Sequence, residues 1–203
     1  MTTDRLPLFC DTALAERIER AQTQLVAGAS EAARVRRADA AGFVVPVAGG
    51  VASFAGEDSP FNKVAGLGFA GVPGVAVLDG VERAFAARGA PVQVEVACLA
   101  DPAVGVLLTE RGYRLVSFEN VLGRGLTVES ERVTPPEVRV RRIGEDELDA
   151  WIEVVVEAFM HPDTEGLPQH EDFPRGAIER AERDLAAAPG VVCYLALLDG
   201  VIA

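Results

Sequence analysis

Lysine is almost absent from this chain. Lys63 is the only one in 203 residues, and arginine supplies every other basic side chain. With its alanine, glycine and valine excess, the usage matches a GC-rich bacterial genome and carries no mechanistic message. Histidine is nearly as scarce. His161 and His170 stand outside any C-x-x-C or H-E-x-x-H context, so no metal site is expected. The three cysteines, Cys10, Cys98 and Cys193, are far apart and odd in number. That excludes a disulfide framework and fits a reducing cytoplasm. The N-terminal stretch has acid where a secretory signal has base, and no run approaches the ~20 apolar residues of a membrane span. Positive charge is in short supply overall: the formal net charge is -12. Such a chain repels phosphate backbones and anionic lipid, so neither nucleic acid nor a membrane is an expected partner. The short arginine clusters at 34–37 and 139–142 read as solvated faces.

What is present is a substantial apolar fraction, 49%, with 25% charged residues. That describes a globular chain with a core. From Thr12 to about Arg37, apolar residues at Leu14, Ile18, Ala21 and Leu25 mark an amphipathic helix. "GFVVPVA" and "VASFAG", joined at Gly49-Gly50, read as a hairpin, with Pro46 assigning the first strand to an edge. "FNKVAGLGF" is a third strand candidate. Leu78, Val81 and Phe85 define the next helix, stopped by Gly89 and Pro91. "VQVEVAC" alternates like a strand. Asp101-Pro102 opens a short helix that buries Val104, Leu107 and Leu108 and stops at Gly112. "YRLVSFENVLGRGL" reads as a long closing strand. Residues 127–137, ending in Pro135-Pro136, read as a linker. Beyond it come a strand ("VRVRRI"), a helix through Leu148, Trp151, Ile152, Val155 and Phe159, a proline-rich loop, and a helix through Ile178, Ala181 and Leu185.

The last residues echo earlier ones. "GVVCYLALLDGVIA" at 190–203 follows the pattern of "GFVVPVAGGVASFA" at 42–55: glycine, apolar strand, a two-residue turn ending in glycine, second apolar strand. An internal repeat of one supersecondary unit is expected. On that reading, residues 1–126 form one module and 138–203 the opening part of a second. The second copy reads as truncated, its bare strand at Val201–Ala203 open to self-association as a homodimer.

Residues 66–71, "GLGFAG", form a G-x-G-x-x-G of Gly66, Gly68 and Gly71. A dinucleotide-binding turn needs its helix to begin within the motif. Here Pro73 and Gly74 delay the helix to about Val75, which argues against that reading. Read from Gly71, the stretch Gly71-Val72-Pro73-Gly74-Val75-Ala76 resembles the pyrophosphate loop of the GNAT superfamily of N-acetyltransferases, [Arg/Gln]-x-x-Gly-x-[Gly/Ala]. Gly74 and Ala76 stand at the two small-residue positions, and Gly71 stands where the family has Arg or Gln. "DPAVGVLLTERGYRL" is similar to the family's C-terminal motif. Asp101, Val104, Leu107 and Gly112-Tyr113 match it, and Leu108 replaces the tyrosine that commonly protonates the departing thiolate.

The resemblance implies an α/β chain of the α+β kind: a GNAT-like fold with a mixed, mainly antiparallel sheet flanked by helices, then a partial second copy. It implies acetyl-coenzyme A as cofactor, held through Gly74 and Ala76, and a small-molecule or peptide amine as acceptor. Glu95 is the candidate base, with a surface strand acid as the competing reading. Phe159 and His161 are candidates on the acceptor side, with core packing and an exposed loop as the competing readings. Because Gly71 and Leu108 depart from the motifs, the first module is expected to bind coenzyme A weakly. Activity is expected only in a longer protein that completes the second module. The alternative is a non-catalytic ligand-binding or dimerisation module of the same fold.

Overall fold

A computed structural model of the protein describes residues 8–38, 42–125, 135, 137–162 and 171–202. Most of the linker at 127–137, and His170, lie outside the described residues. Within them the chain is mixed α/β, with five helices and two three-stranded antiparallel sheets. No helix among them is long and apolar enough to cross a membrane.

Helix α1 (Thr12–Arg37) begins at Asp11, whose carboxylate accepts the Leu14 N–H at 2.8 Å and so satisfies one orphan donor of the first turn. Its buried face is Ala15, Thr23, Val26, Ala29, Ser30 and Ala33. The expected stripe of Leu14, Ile18, Ala21 and Leu25 is displaced by about one residue. The small side chains win because they let the helix backbone lie close to its neighbours, while Leu25 stays exposed.

Strands β1 (Phe43–Val47) and β2 (Gly50–Phe54) form the expected hairpin, and β3 (Lys63–Ala65) adds to β2. The turn falls on Ala48 (φ 43°) and Gly49 (φ 87°), one residue earlier than the Gly49-Gly50 reading. Two consecutive positive φ values are what a two-residue hairpin turn needs. Gly50 instead serves inside β2, where a Cβ would collide with the Ala65 carbonyl of β3. Pro46 sits on β1, an edge strand, as its missing N–H requires.

One face of this sheet presents Phe43, Val47, Ala52, Phe54 and Val64. It packs on α2 (Val75–Ala86) through Leu78, Val81 and Phe85, and on α3 (Pro102–Glu110) through Val104 and Leu108. Phe85 meets Phe43 edge-on with ring centroids 5.3 Å apart, and Phe54 at 6.0 Å. Arg111 ties α3 back to α2, donating to Asp79 at 2.5 Å and to both oxygens of Glu82. The guanidinium holds the Glu82 carboxyl below the usual range, and burial beside it pushes Tyr113 up to about 12.

Two expected strands are not built. Residues 92–98 make a single parallel bridge, Val64 to Val94. Residues 113–125 pair with no strand among the described residues, and Leu115, Val116, Phe118, Val121 and Leu122 lie on the surface. Apolar, β-branched content favours an extended backbone but does not supply a partner edge.

The second sheet contains β4 (Val138–Arg142), β5 (Tyr194–Leu198) and β6 (Val201–Ile202), in that order. Its β5–β6 turn, Asp199 (φ 51°) and Gly200 (φ 83°), has the same backbone form as the first hairpin. The repeat seen in the sequence therefore holds at the level of the turn. Helices α4 (Leu148–Met160) and α5 (Arg175–Ala186) meet through Ile152, Val156 and Ile178. Helix α5 also lies on α1: Ala181 shares a cluster with Val26, Ala29 and Ala33. At the edge of that cluster Asp184, 1% exposed, binds Arg36 at 2.5 Å and Arg37 at 2.9 Å. Arg37 also donates to the Ala55 carbonyl at the end of β2.

At the mouth of α4, Glu147 accepts from both Arg141 guanidinium nitrogens at 2.6 Å and from the Gly144 N–H at 2.6 Å. These donors, Arg141 foremost, hold its carboxyl down at about 2, against 4.5 for an ordinary glutamate. The folded group has the lower value, so the clasp stabilises fully above pH 4.5 and fades as pH falls from 4.5 towards 2. Thermal melts of the natural chain and Glu147→Gln should differ by a constant amount above pH 4.5, and the gap should close by pH 2. A gap independent of pH across that window would show that the carboxylate charge is not what matters.

Candidate functional site

The glycine-rich loop divides into two parts with different work. Gly66 and Gly68 have φ values of 79° and 87°, and both are buried. A Cβ on Gly66 would collide with Thr23 Oγ1, and one on Gly68 would stand 2.7 Å from Ala100 Cβ. These two glycines let the loop pass between α1 and the start of α3. Gly71 and Gly74 are different. Both are exposed, and a Cβ at either would meet nothing within 4 Å.

Gly74 is the N-cap of α2 and offers no side chain to it, and the first turn holds no acid. The N–H groups of Val77 and Leu78 bond to the Gly74 carbonyl. Those of Val75 and Ala76 have no partner among the described residues. The helix dipole and these free donors together favour an anion. Ala76 also lines a cleft of about 400 Å³ between α2 and β1, whose walls include Phe43, Val45, Pro46, Val77 and Arg88. Arg88 caps that cleft from above the Phe43 ring, 4.8 Å from its centroid.

Beside the loop, segments 63–65 and 92–98 are joined in parallel at one bridge among the described residues. Val64 N–H donates to the Gln93 carbonyl at 2.8 Å, and Glu95 N–H to the Val64 carbonyl at 2.9 Å. The next backbone bond between the two segments is from Asp101 N–H to the Gly68 carbonyl. Between these points no backbone bond joins the two segments among the described residues. Val64 and Val94 face the α2 side. Strand alternation turns Lys63 and Glu95 towards α1.

On the α1 side, Lys63 Nζ donates to Glu95 Oε1 at 2.5 Å. Glu19, on the buried stripe of α1 between Ala15 and Thr23, lies close to Glu95 and to the Gly66 N–H. Burial, and after it the Glu95 charge, push the Glu19 carboxyl above the usual range. Thr23, one turn further along α1, is 9% exposed, and its Oγ1 has no hydrogen-bond partner among the described residues.

No family model matches this chain, and no curated protein or solved structure matches it either.

Of the residues singled out in the sequence, Gly74 and Ala76 do share one open helix terminus. Glu95 is half-buried and ion-paired rather than free on a strand surface. Phe159 and His161 fall elsewhere, at the end of α4, which packs on α5. The Phe159 ring is exposed. His161 is exposed as well, its Nδ1 3.1 Å from the Glu157 carbonyl. Trp151 donates from Nε1 to the Tyr194 carbonyl at 3.2 Å, a structural bond between α4 and β5. Glu19 was missed. Its signal was available, because it stands four residues from both Ala15 and Thr23, but the larger Leu14 and Ile18 drew the stripe to the wrong face.

Proposed function

We propose that this chain is an acyl-coenzyme A-binding protein of GNAT-like type that transfers an acetyl group from acetyl-coenzyme A to an amine. The observation that carries the reading is the bare N-terminus of α2: two free N–H groups, no capping side chain, and open space at Gly71 and Gly74. A pyrophosphate there meets donors and a positive helix end without displacing anything. The adjoining cleft of about 400 Å³ gives an apolar arm of the ligand somewhere to lie.

In this reading the backbone N–H groups bind phosphate, and the thioester meets an amine beyond the Val64–Val94 bridge, on the α1 side. The amine nitrogen would attack the thioester carbon, and the C–S bond would break with coenzyme A leaving as its thiolate. The amine proton passes to a carboxylate, for which Glu95 and Glu19 are at hand. Gly71 supplies no guanidinium or amide to the pyrophosphate. A charge-assisted hydrogen bond contributes about 1.5–3 kcal/mol, so affinity is expected to be about one to two decades below that of a loop with arginine there.

The second reading, a binding module without catalysis, is favoured by Leu108. It is buried in the first core cluster, where the family resemblance asks for a proton-donating tyrosine.

The test uses Gly74→Asp. The site is open and φ is -68°, so aspartate fits and caps α2 with its own carboxylate. Calorimetry should show acetyl-coenzyme A binding to the natural chain and none to Gly74→Asp, while the variant melts at the same temperature or slightly higher. Equal binding by both would remove the helix terminus from the reading. No binding by the natural chain at millimolar ligand would remove coenzyme A. A thiol-release assay with an amine panel then separates transferase from binding module.

A further inference from the structure

The two hairpins share one turn geometry, so their strands correspond position by position. Ala48 and Gly49 (φ 43° and 87°) match Asp199 and Gly200 (φ 51° and 83°). Phe43, Val45 and Val47 of β1 then match Tyr194, Ala196 and Leu198 of β5, and Gly50 of β2 matches Val201 of β6. In the first sheet that face is covered. Val47 is buried in the core cluster with α2 and α3, and Phe43 meets Phe85 of α2 edge-on. In the second sheet the same face is bare. The register sets Val140 opposite Ala196, Arg142 opposite Tyr194, and Leu198 opposite Val201, so these side chains share it. Val140 is 59% exposed, Tyr194 55%, Leu198 46% and Val201 70%, whereas Leu195 on the other face is 3% exposed. Single exposed apolar residues are ordinary, but four on one face of a small sheet form a patch.

We propose that this face of the second sheet is a docking site for an amphipathic α-helix of a separate protein partner. The first sheet supplies the template: α2 lays Leu78, Val81 and Phe85 on the equivalent positions. Five-residue strands about 17 Å long, three abreast over about 10 Å, match one helix of about three turns. A second copy stacked sheet on sheet fits less well, because a footprint of about 170 Å² is far below the ~800 Å² per partner of a standard interface. The same small size makes the helix complex a transient one. Charge sets the partner's orientation. Arg142 is exposed at the Tyr194 end of the face, and among the described residues no carboxylate pairs with it. Phe85, in the last turn of α2, meets Phe43, the counterpart of Tyr194. A helix docked in the direction of α2 brings its own last turn over Tyr194 and Arg142, so the partner carries an acid there. The site uses neither the α2 terminus nor acetyl-coenzyme A.

The probe is a synthetic peptide with the sequence of residues 74–88 of this chain. A staple between positions 79 and 83, away from Leu78, Val81 and Phe85, keeps so short a segment helical. It is titrated into the isotope-labelled full chain and followed by NMR. A second peptide carries Arg88→Glu, and a third carries Leu78→Ser, Val81→Ser and Phe85→Ser. The first should shift Val140, Tyr194, Leu198 and Val201 saturably, with a dissociation constant of about 0.1–1 mM. The Arg88→Glu peptide should bind about three- to tenfold more tightly, and the serine peptide should not bind. Val140→Lys and Val201→Lys, both at exposed positions, should each weaken the first peptide at least about tenfold. Arg142→Gln should abolish the preference for the acidic peptide. The proposal is overturned if the serine peptide binds equally, if Val140→Lys changes nothing, or if Arg142→Gln keeps the preference. It is also overturned if the shifts fall on Phe54 and Val64, where α2 already packs, or if none appears at about 2 mM peptide. Sedimentation showing a dimer of the chain alone, lost in Val140→Lys, would give the face to a second copy. A longer form of the polypeptide that protects the same residues and excludes the peptide would give it to the chain's own helix. Either result overturns the assignment to a partner. Binding or failure of acetyl-coenzyme A at α2 leaves all these outcomes unchanged.

Discussion

Asp184→Leu is expected to destabilise the protein by about 3 kcal/mol and to lower its melting temperature by roughly 6–12 °C. The carboxylate is fully buried, and the two guanidinium groups that hold it are 37% and 26% exposed. Removing the acid leaves two adjacent positive charges facing the α1–α5 contact, with part of their hydration restored. That partial exposure keeps the cost at the low end of the range for a broken buried pair. The cost of burying the acid is visible in its titration: desolvation pushes the Asp184 carboxyl up, and Arg37 and Arg36 pull it back only in part. A carboxyl with a raised folded value loses stability as pH climbs through that value, so the trio is a device for matching surfaces rather than a source of net stability at neutral pH. The triple variant Arg36→Met, Arg37→Met, Asp184→Leu should therefore recover much of the loss. Recovery will be incomplete, because Arg37 also satisfies the Ala55 carbonyl. Urea titration of the single and triple variants measures both. A single variant within about 0.5 kcal/mol of the natural chain would mean that the seam does not depend on charge.

Gly68→Ala is expected to cost about as much, for an unrelated reason. The residue has φ 87°, and a Cβ there would stand 2.7 Å from Ala100 Cβ and 2.9 Å from the Asp101 nitrogen. The left-handed backbone alone costs an alanine about 1–2 kcal/mol, and forcing apart a packed contact costs about 1–3 more. The displaced neighbour matters structurally. Asp101 N–H donates to the Gly68 carbonyl, and the Asp101 side chain caps α3 by accepting the Ala103 N–H at 2.9 Å. Gly71→Ala is the control. Its φ of 99° brings the same kind of backbone strain, but the space is empty, so its cost should stay near 1–2 kcal/mol. Denaturant curves for the two variants separate strain from crowding. Equal losses would show that the contact at Ala100 gives way freely.

These glycines also mark how far the sequence could be read. The Pro73-Gly74 pair correctly places the start of α2 at Val75, because proline and glycine constrain the backbone locally. Which glycines are packed and which open depends on what lies opposite. Thr23 and Ala100 are 43 and 32 positions away from Gly66 and Gly68, and no local pattern announces them. The bounds of α1 were legible from periodicity, but its buried face was not. Hydrophobicity marks Leu and Ile, whereas close helix packing selects Ala, Ser and Thr. Glu19 vanished into that same error, since on a solvent-facing stripe it would be one acid among several. The strand-like composition of 113–125 is legible in its side chains, and the absence of a partner strand among the described residues is not. Local chemistry is legible one element at a time, and pairing is a property of two.

The α1–α5 seam carries a kinetic consequence. Arg36 and Asp184 are 148 positions apart. Both hairpins close turns of two residues and are expected to form within microseconds. Bringing α5 onto α1 closes a loop through most of the chain, and contacts of such long range slow folding. Until that loop closes, Val26, Ala29 and Ala33 have lost one wall and Asp184 has no counter-charge. The seam is thus expected to be the late step of folding. Its arginines, screened little at short range, supply an attraction that acts before the small side chains touch.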